Sequence, residues 1–241
     1  MDLKIIYEDE NLLVVDKLAG IVVFPEGNVK NNTLIDLLIE QNPNLKDAGE
    51  VPRYGVIHRL DKDTSGILLV AKSNEALIFF QKQFKNRRVE KKYTALATGT
   101  IKEDSGNIKT LIGRSPSDPR KQKVYSLEES KQGLREAISK YKVLERFSAE
   151  NGSASGGEKY TLLEVSIETG RKHQIRCHLA HIHHPITGDK VYGFKDSPVP
   201  EGLTRQFLHA SYLKVELPNQ TEKEFISNLP DELKEILNKL R

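Results

Sequence analysis

The chain has 241 residues, 37% of them hydrophobic and 29% charged, with a formal net charge of +3, which suits a globular protein with a substantial core. A single cysteine, Cys177, excludes an internal disulfide. The acidic start MDLKIIYEDENLL excludes a signal-peptide pattern and no apolar run is long enough to cross a bilayer, so the expected compartment is the cytoplasm.

In chain order, LKIIYEDENLLVVDKLAGIVVF carries two short apolar runs around EDEN and reads as a hairpin. TLIDLLIEQN (33–42) predicts a helix capped by Thr33 and stopped before Pro43, with Leu34, Leu37 and Leu38 on one face. ILLVA (67–71) is a buried strand. NEALIFFQKQFKNRR is a helix with Leu77, Phe80 and Phe84 on one stripe and cations at its far end. KKYTALATG (91–99) reads as a strand. The stretch 101–140 is polar and reads as loop-rich, with a helix late in it. NGSASGGEK (151–159) is a Gly/Ser-rich loop tip with the look of an insertion. YTLLEVSIETG is a strand rich in β-branched residues. RKHQIRCHLAHI (171–182) is a helix with Ile175, Leu179 and Ile182 toward the core. FLHASYLKVEL is a strand, and PDELKEILNKLR closes the chain as an amphipathic helix. With no repeat and no boundary evident, residues 1–241 read as a single domain. Its class is mixed α/β (α+β), with hairpins and long connections outnumbering βαβ units.

The cations are clustered. Residues 82–92, KQFKNRRVEKK, hold six cations and one acid; 114–123, RSPSDPRKQK, four and one; and 171–178, RKHQIRCH, three cations and two histidines. One such cluster reads as a solvated face; three favour a polyanionic partner.

HRLDKDTSG (58–66) is the unusual run: Asp61 sits among His58, Arg59 and Lys62 at the mouth of the strand ILLVA. Asp61, Asp63, Ser65 and Gly66 imitate the start of a calcium loop, but the position that must carry a bidentate carboxylate is Lys72, which rejects calcium. A phosphatase-like DxD pair would follow an apolar strand rather than precede one. His178 and His181 stand at i, i+3, but no HExxH or CxxC accompanies them, so no metal site is expected. No GxGxxG, GxxxxGK[ST] or deaminase signature appears, so no cofactor is expected. What remains is a carboxylate held among cations. It serves either as a nucleophile, if partly desolvated and kept ionised by a neighbouring arginine, or as a turn residue with an Asx-type bond.

HRLDKDTSGILLVAKS, KKYTALATG and ETGRKHQIRCHLAHIHHPITGDKVYG resemble the signature segments of the RluA-type RNA pseudouridine synthases. FLHASYL resembles that family's closing segment and YEDENLLVVDKLAGIVVFP its opening strand pair. The resemblance implies a mainly antiparallel mixed sheet, split by a central cleft that carries Asp61 and flanked by helices. It implies isomerisation of uridine to pseudouridine in tRNA, rRNA or both, without metal or cofactor. Asp61 then matches the essential aspartate, attacking sugar or base or removing a sugar proton. Tyr93 matches the tyrosine that stacks on the target uracil, and Arg176 the basic residue that pairs with the aspartate. Arg59 matches the arginine that helps to push the target nucleotide out of its stack. Base flipping of this kind costs a few kcal/mol. Arg87, Arg88, Lys91, Lys92, Arg114, Arg120 and Lys121 would grip the RNA backbone, and Arg171 and His173 would make phosphate or loop contacts. His58, Thr64, Ser65 and Gly66 would shape the loop around Asp61.

Many relatives carry an S4 RNA-binding domain before the opening hairpin. Here the hairpin begins within the first few residues, which resembles the short, single-domain members, and a monomer is expected. Two rivals stand beside this reading: a catalytically silent relative acting as an RNA-binding chaperone, and a metal-dependent hydrolase built on the histidines. The first would have lost one of Asp61, Tyr93 or Arg176, and all three are present.

Overall fold

The opening apolar runs pair as antiparallel strands β1 (Lys4–Glu8) and β2 (Leu12–Lys17). Asp9 forms the corner: its carboxylate accepts the Asn11 and Leu12 amides at 2.8 and 2.7 Å and the Tyr7 hydroxyl at 2.7 Å. The computed structural model describes residues 3–27, 29–148 and 159–241, so the Gly/Ser-rich stretch 151–157 lies outside the described residues. Two compact units divide the chain. One comprises Met1–Lys91 with Ala210–Asn228, the other Lys92–His209 with Leu229–Arg241.

In the first unit, β2 pairs antiparallel with β3 (Ser65–Ala71), a strand buried along its whole length. Residues of β9 (Leu208–Glu216) follow β3 in the strand order, and β10 (Glu222–Ile226) adds antiparallel to β9. Helix α1 (Leu34–Gln41) starts at Thr33, whose backbone amide and hydroxyl both donate to Asp36. Its buried face is Leu34, Ile35 and Leu38; Leu37 is half-buried. Helix α2 (Asn74–Lys85) is capped by the Ser73 hydroxyl and ends earlier than its pattern predicts, because Arg87 turns into the left-handed region at φ 59°. Leu77 and Phe80 of α2 pack with Leu12, Val14, Ile67, Leu69, Leu213 and Phe225 in one core.

The second unit is a sheet in the order β4 (Glu90–Thr98), β8 (Lys159–Ile167), β7 (Arg135–Ser148), β5 (Ser105–Arg114), β6 (Gln122–Tyr125), every neighbouring pair antiparallel. Helix α3 (Gln174–His181) packs on β6 and β7, and α4 (Asp231–Leu240) buries Leu233, Ile236 and Leu237. The loop-rich reading of 101–140 is corrected here. Strands β5, β6 and the start of β7 occupy half of that stretch, and no helix forms in it. The physical reason is one-sided burial. In β5 Ile108, Thr110 and Ile112 point inward while Lys109 is exposed, so a half-solvated antiparallel strand carries the composition of a loop. Strand β10 is a further element that the sequence reading lacks. The helix read over 171–182 starts at Gln174, because residues 171–173 form a turn with His173 at φ 56°.

Gly66 lies opposite Lys17 across β2 and β3, at φ 114°. A Cβ there would stand 2.2 Å from the Ala210 carbonyl oxygen and 2.7 Å from its nitrogen. Neither the backbone angle nor the neighbouring strand admits a side chain. Gly66→Ala is therefore expected to destabilise the first unit by about 3 kcal/mol, from strain and overpacking together. Urea unfolding measures it, and a loss below about 1 kcal/mol contradicts the close approach.

Candidate active site

Asp61 lies in the turn that feeds β3. The Thr64 amide donates to the Asp61 carbonyl at 3.1 Å, closing a four-residue turn, and the Asp61 residue is half-buried between exposed Lys62 and buried Leu60. Thr64 and Ser65 are buried, and Ser65 begins the strand. Asp61 thus stands where a solvated loop becomes a wholly buried strand.

Two side chains fix this turn from below. Lys17, at the end of β2, is 0% exposed, and its ammonium donates to the carbonyls of Leu18 at 2.8 Å, Ile21 at 2.9 Å and Lys62 at 3.0 Å. The Gly20 amide meets the same Lys62 carbonyl at 2.9 Å. A buried lysine is costly unless all its protons are bonded, and this ammonium has three acceptors placed for it. His58 acts from the other end. Its Nε2 accepts the Leu69 amide at 3.2 Å, and its ring stacks on Phe84 at 4.9 Å, with the Lys91 ammonium 5.3 Å from the same Phe84 ring. Burial of the ring, with Lys91 behind it, lowers the His58 pKa to about 3. The bond from Leu69 requires the same neutral imidazole. The loop-shaping role expected of His58 has this physical form.

Arg59 is exposed, stands over the Phe24 ring at 5.2 Å and pairs with Glu26. Arg87 and Arg88 are exposed beyond the end of α2. Lys91 departs from the expectation of a surface cation. It is 6% exposed, and its stem belongs to the interior of the first unit. The alternation of β4 decides this: Lys91, Tyr93 and Ala95 share the buried face, and Lys92 falls on the other, 3.7 Å from Glu164.

In the second unit, Tyr93 lies on β4 opposite Val165 and is 8% exposed. Arg176 projects from α3 and is 6% exposed, so it is not a solvated helix arginine. Its Nε and Nη2 donate to Asp189 at 2.7 and 2.9 Å, a bidentate pair. Asp189 also accepts the Val191 and Tyr192 amides at 2.8 and 3.0 Å. Burial pushes the Asp189 carboxyl up, but the Arg176 bonds and charge and the two amides outweigh it and hold the pKa below the usual range. The planar guanidinium has donors beyond the two that Asp189 takes, so one edge is anchored and the group is pre-oriented.

Tyr192 completes the support. Arg176 lies 5.2 Å and Lys121 5.9 Å from its ring, its oxygen accepts the Gln122 amide at 2.7 Å, and His173 Nδ1 is 3.1 Å from that oxygen. The structure so brings Arg176, His173 and Lys121 together around one tyrosine. Arg171, in the turn before α3, donates from Nε to the carbonyl of Glu136 in β7 at 2.9 Å. Arg114 is exposed, and Arg120 is exposed and clipped by Asp118 at 3.0 and 2.8 Å. His178 is spent between Ser139 at 2.9 Å and Thr110 at 3.0 Å. Among the described residues, no group of three or more His, Cys, Asp or Glu is placed to hold a metal ion, and no helix is long and apolar enough to cross a membrane.

The sequence reading assigned nothing to Lys17, Asp189 or Tyr192. Asp189 and Tyr192 lie inside the quoted segment PITGDKVYG, and Lys17 inside VVDKLAG. A charged residue inside an apolar strand run was the one available signal for Lys17.

A family model described as RNA pseudouridylate synthase matches residues 11–181, which include the Asp61 turn, Tyr93 and Arg176. The chain belongs to this family. Within it, a protein of Aquifex aeolicus described as an uncharacterized RNA pseudouridine synthase is 43% identical over 203 residues, 83% of this chain and 59% of that one. The ribosomal large subunit pseudouridine synthase D of Nitrosomonas europaea is 39% identical over 246 residues, 99% of this chain and 65% of that one. Its namesake in Pseudomonas aeruginosa is 38% identical, with 100% of this chain and 72% of that one covered. The chain therefore spans about three fifths to two thirds of the length of the first two. The solved human RNA pseudouridylate synthase domain containing 1 superposes with a TM-score of 0.73 at 29% identity, over 95% of this chain and 84% of that one. Mixed α+β architecture with mainly antiparallel strands is thus the family fold.

For this pseudouridylate synthase family member, the two supports of the Asp61 turn have measurable signatures. Lys17→Met strands the carbonyls of Leu18, Ile21 and Lys62 in a dry place. The expected loss is about 3–5 kcal/mol, read by urea unfolding; a neutral result would mean that the ammonium is not needed there. His58 makes stability depend on pH. Its folded pKa, about 3, lies below the ordinary 6.5, so the unfolded chain takes up a proton that the folded chain refuses. Its contribution is whole above pH 6.5 and is lost as pH falls from there toward 3, at up to about 1.4 kcal/mol per pH unit. The difference in stability between wild type and His58→Gln, followed from pH 7 to pH 4, must show this slope; a flat difference removes the assignment.

Proposed function

We propose that the chain isomerises uridine to pseudouridine within RNA, with Asp61 as the essential carboxylate. The observation that carries the reading is the Asp61 turn itself: a carboxylate at the mouth of a buried strand, inside the family-matched segment, braced by Lys17 and His58. In the reaction the C1′–N1 bond breaks, the uracil turns, and a C1′–C5 bond forms; C5 gives up a proton and N1 gains one. No atom enters or leaves. The protein's part is therefore to hold the base and sugar in place and to handle charge and protons.

In this reading Tyr93 contributes the aromatic face beneath the uracil and Arg176 the anchored cation, with Asp189 keeping it in place. Arg59 presents an exposed, flat guanidinium backed by the buried Phe24 ring, suited to replace a flipped base in its stack. Arg87, Arg88, Lys92, Arg114, Arg120 and Lys121 supply surface charge for the backbone of tRNA, rRNA or both, and the reaction is taken to run in the cytoplasm. Each neutralised phosphate contributes about −0.7 to −0.9 to the log–log salt slope of binding.

The test compares wild type with Asp61→Ala on unmodified transcripts of the tRNA set and the large ribosomal RNA, pseudouridines being mapped at nucleotide resolution. Wild type is expected to form pseudouridine at defined positions without added metal. Asp61→Ala is expected to bind the same RNA and to lose the rate by a factor of about 10³–10⁴. Equal product from both proteins, or none from wild type, overturns the proposal.

A further inference from the structure

Asp189 holds Arg176, and the same residue lines a groove of about 350 Å³ in the second unit. The groove's other walls include Phe194, Val199, Leu203, Lys190 and Lys195. Two of these are apolar side chains presented to solvent: Phe194 is 50% exposed and Val199 48%. Exposed aromatic surface beside lysines is not how a loop minimises its contact with water. The short connection Phe194–Ser197 is braced by its own bonds: the Phe194 amide donates to the Ser197 hydroxyl at 3.2 Å and the Ser197 amide to the Phe194 carbonyl at 3.1 Å.

The charge of the groove is one-sided. The carboxylate in its wall, Asp189, is already held by the Arg176 guanidinium and two backbone amides. Lys190 and Lys195 are exposed. An aromatic face flanked by cations is the surface on which single-stranded nucleic acid binds: the base stacks and the phosphates meet the ammonium groups. The volume falls at the low end for sites that take one small ligand.

The geometry points to this groove as a binding subsite for one nucleotide of the RNA next to the target uridine, its base on Phe194 and its phosphate at Lys190 and Lys195. This rests on RNA being the substrate. Because Asp189 joins the groove to Arg176, the nucleotide bound there is read beside the reacting one. The groove is then a specificity determinant, admitting RNA whose neighbouring base is free to leave its stack.

The test measures Kd by filter binding to the same unmodified tRNA and large ribosomal RNA transcripts, over a salt series, beside the pseudouridine assay. Phe194→Leu keeps apolar bulk and removes the ring; it is expected to weaken binding by about 5- to 150-fold, while Phe194→Tyr retains affinity. The double change Lys190→Ala and Lys195→Ala removes the cations at that one phosphate, is expected to reduce the magnitude of the log–log salt slope by about 0.7, and tests the groove separately should Phe194→Leu fold poorly. Unchanged Kd and salt slope, with pseudouridine still formed by wild type, overturn the subsite alone. Weakened binding by the variants when wild type makes no pseudouridine removes the catalytic proposal and overturns the subsite's place beside a target uridine, leaving the groove as an RNA contact alone. Wild type that neither binds nor modifies these RNAs overturns both.

Discussion

The buried ammonium of Lys17 is the interaction around which the first unit's site is built. It ties the end of β2, the loop after it and the Asp61 turn through three carbonyls. A lysine with no exposure has no water to fall back on, so those three acceptors are obligatory and their positions are set together. Directly across the ladder is Gly66, whose missing side chain lets the next strand close in. A carboxylate placed on such a turn is presented by backbone geometry, with little freedom left to its loop. That is the pre-organisation a reactive group requires.

The second unit repeats the device with opposite sign. There the charged group to be placed is Arg176, and the buried anchor is Asp189, itself fixed by two amides of its own loop. Tyr192 bonds the Gln122 amide of β6 and has Arg176 of α3 and Lys121, just before β6, over its ring. In both units a charged group is oriented by a fully buried partner of the chain's own making. Ordinary surface pairs such as Lys4 with Asp16 do no comparable positioning, because solvent screens them and their long side chains stay mobile.

The histidines show how composition misleads. Seven in one chain suggest a metal or a proton relay. His58 instead accepts a backbone amide, and His178 is shared by two hydroxyls, with burial lowering its pKa to about 4. Cys177 is likewise removed from chemistry, its thiol pushed up to about 12 by burial. These groups serve the packing of strands and helices, and their protonation is held neutral by the same contacts.

What the sequence by itself determined was local. The hairpin around EDEN, the capped helix at Thr33, the buried run ILLVA and the stripe of α2 all follow from spacing and turn chemistry within a dozen residues. The Asp61 turn was legible as a turn, because charges, hydroxyls and a glycine precede an apolar strand, but its role as a catalytic candidate came only from the resemblance of whole segments to a family. The tertiary structure alone decided the rest. Strands β5, β6 and β7 read as loops because only one face of each is covered, and which face that is depends on partners far along the chain. Lys91 and Lys92 are neighbours of one charge in sequence; the pleat of β4 sends one inward and leaves the other near the surface. Lys17, Asp189 and Tyr192 became positioning groups for their neighbours only when their acceptors, donors and ring neighbours were brought to them. Charge is written in the sequence, but burial is a property of the fold, and burial is what turns a charge into a positioned one.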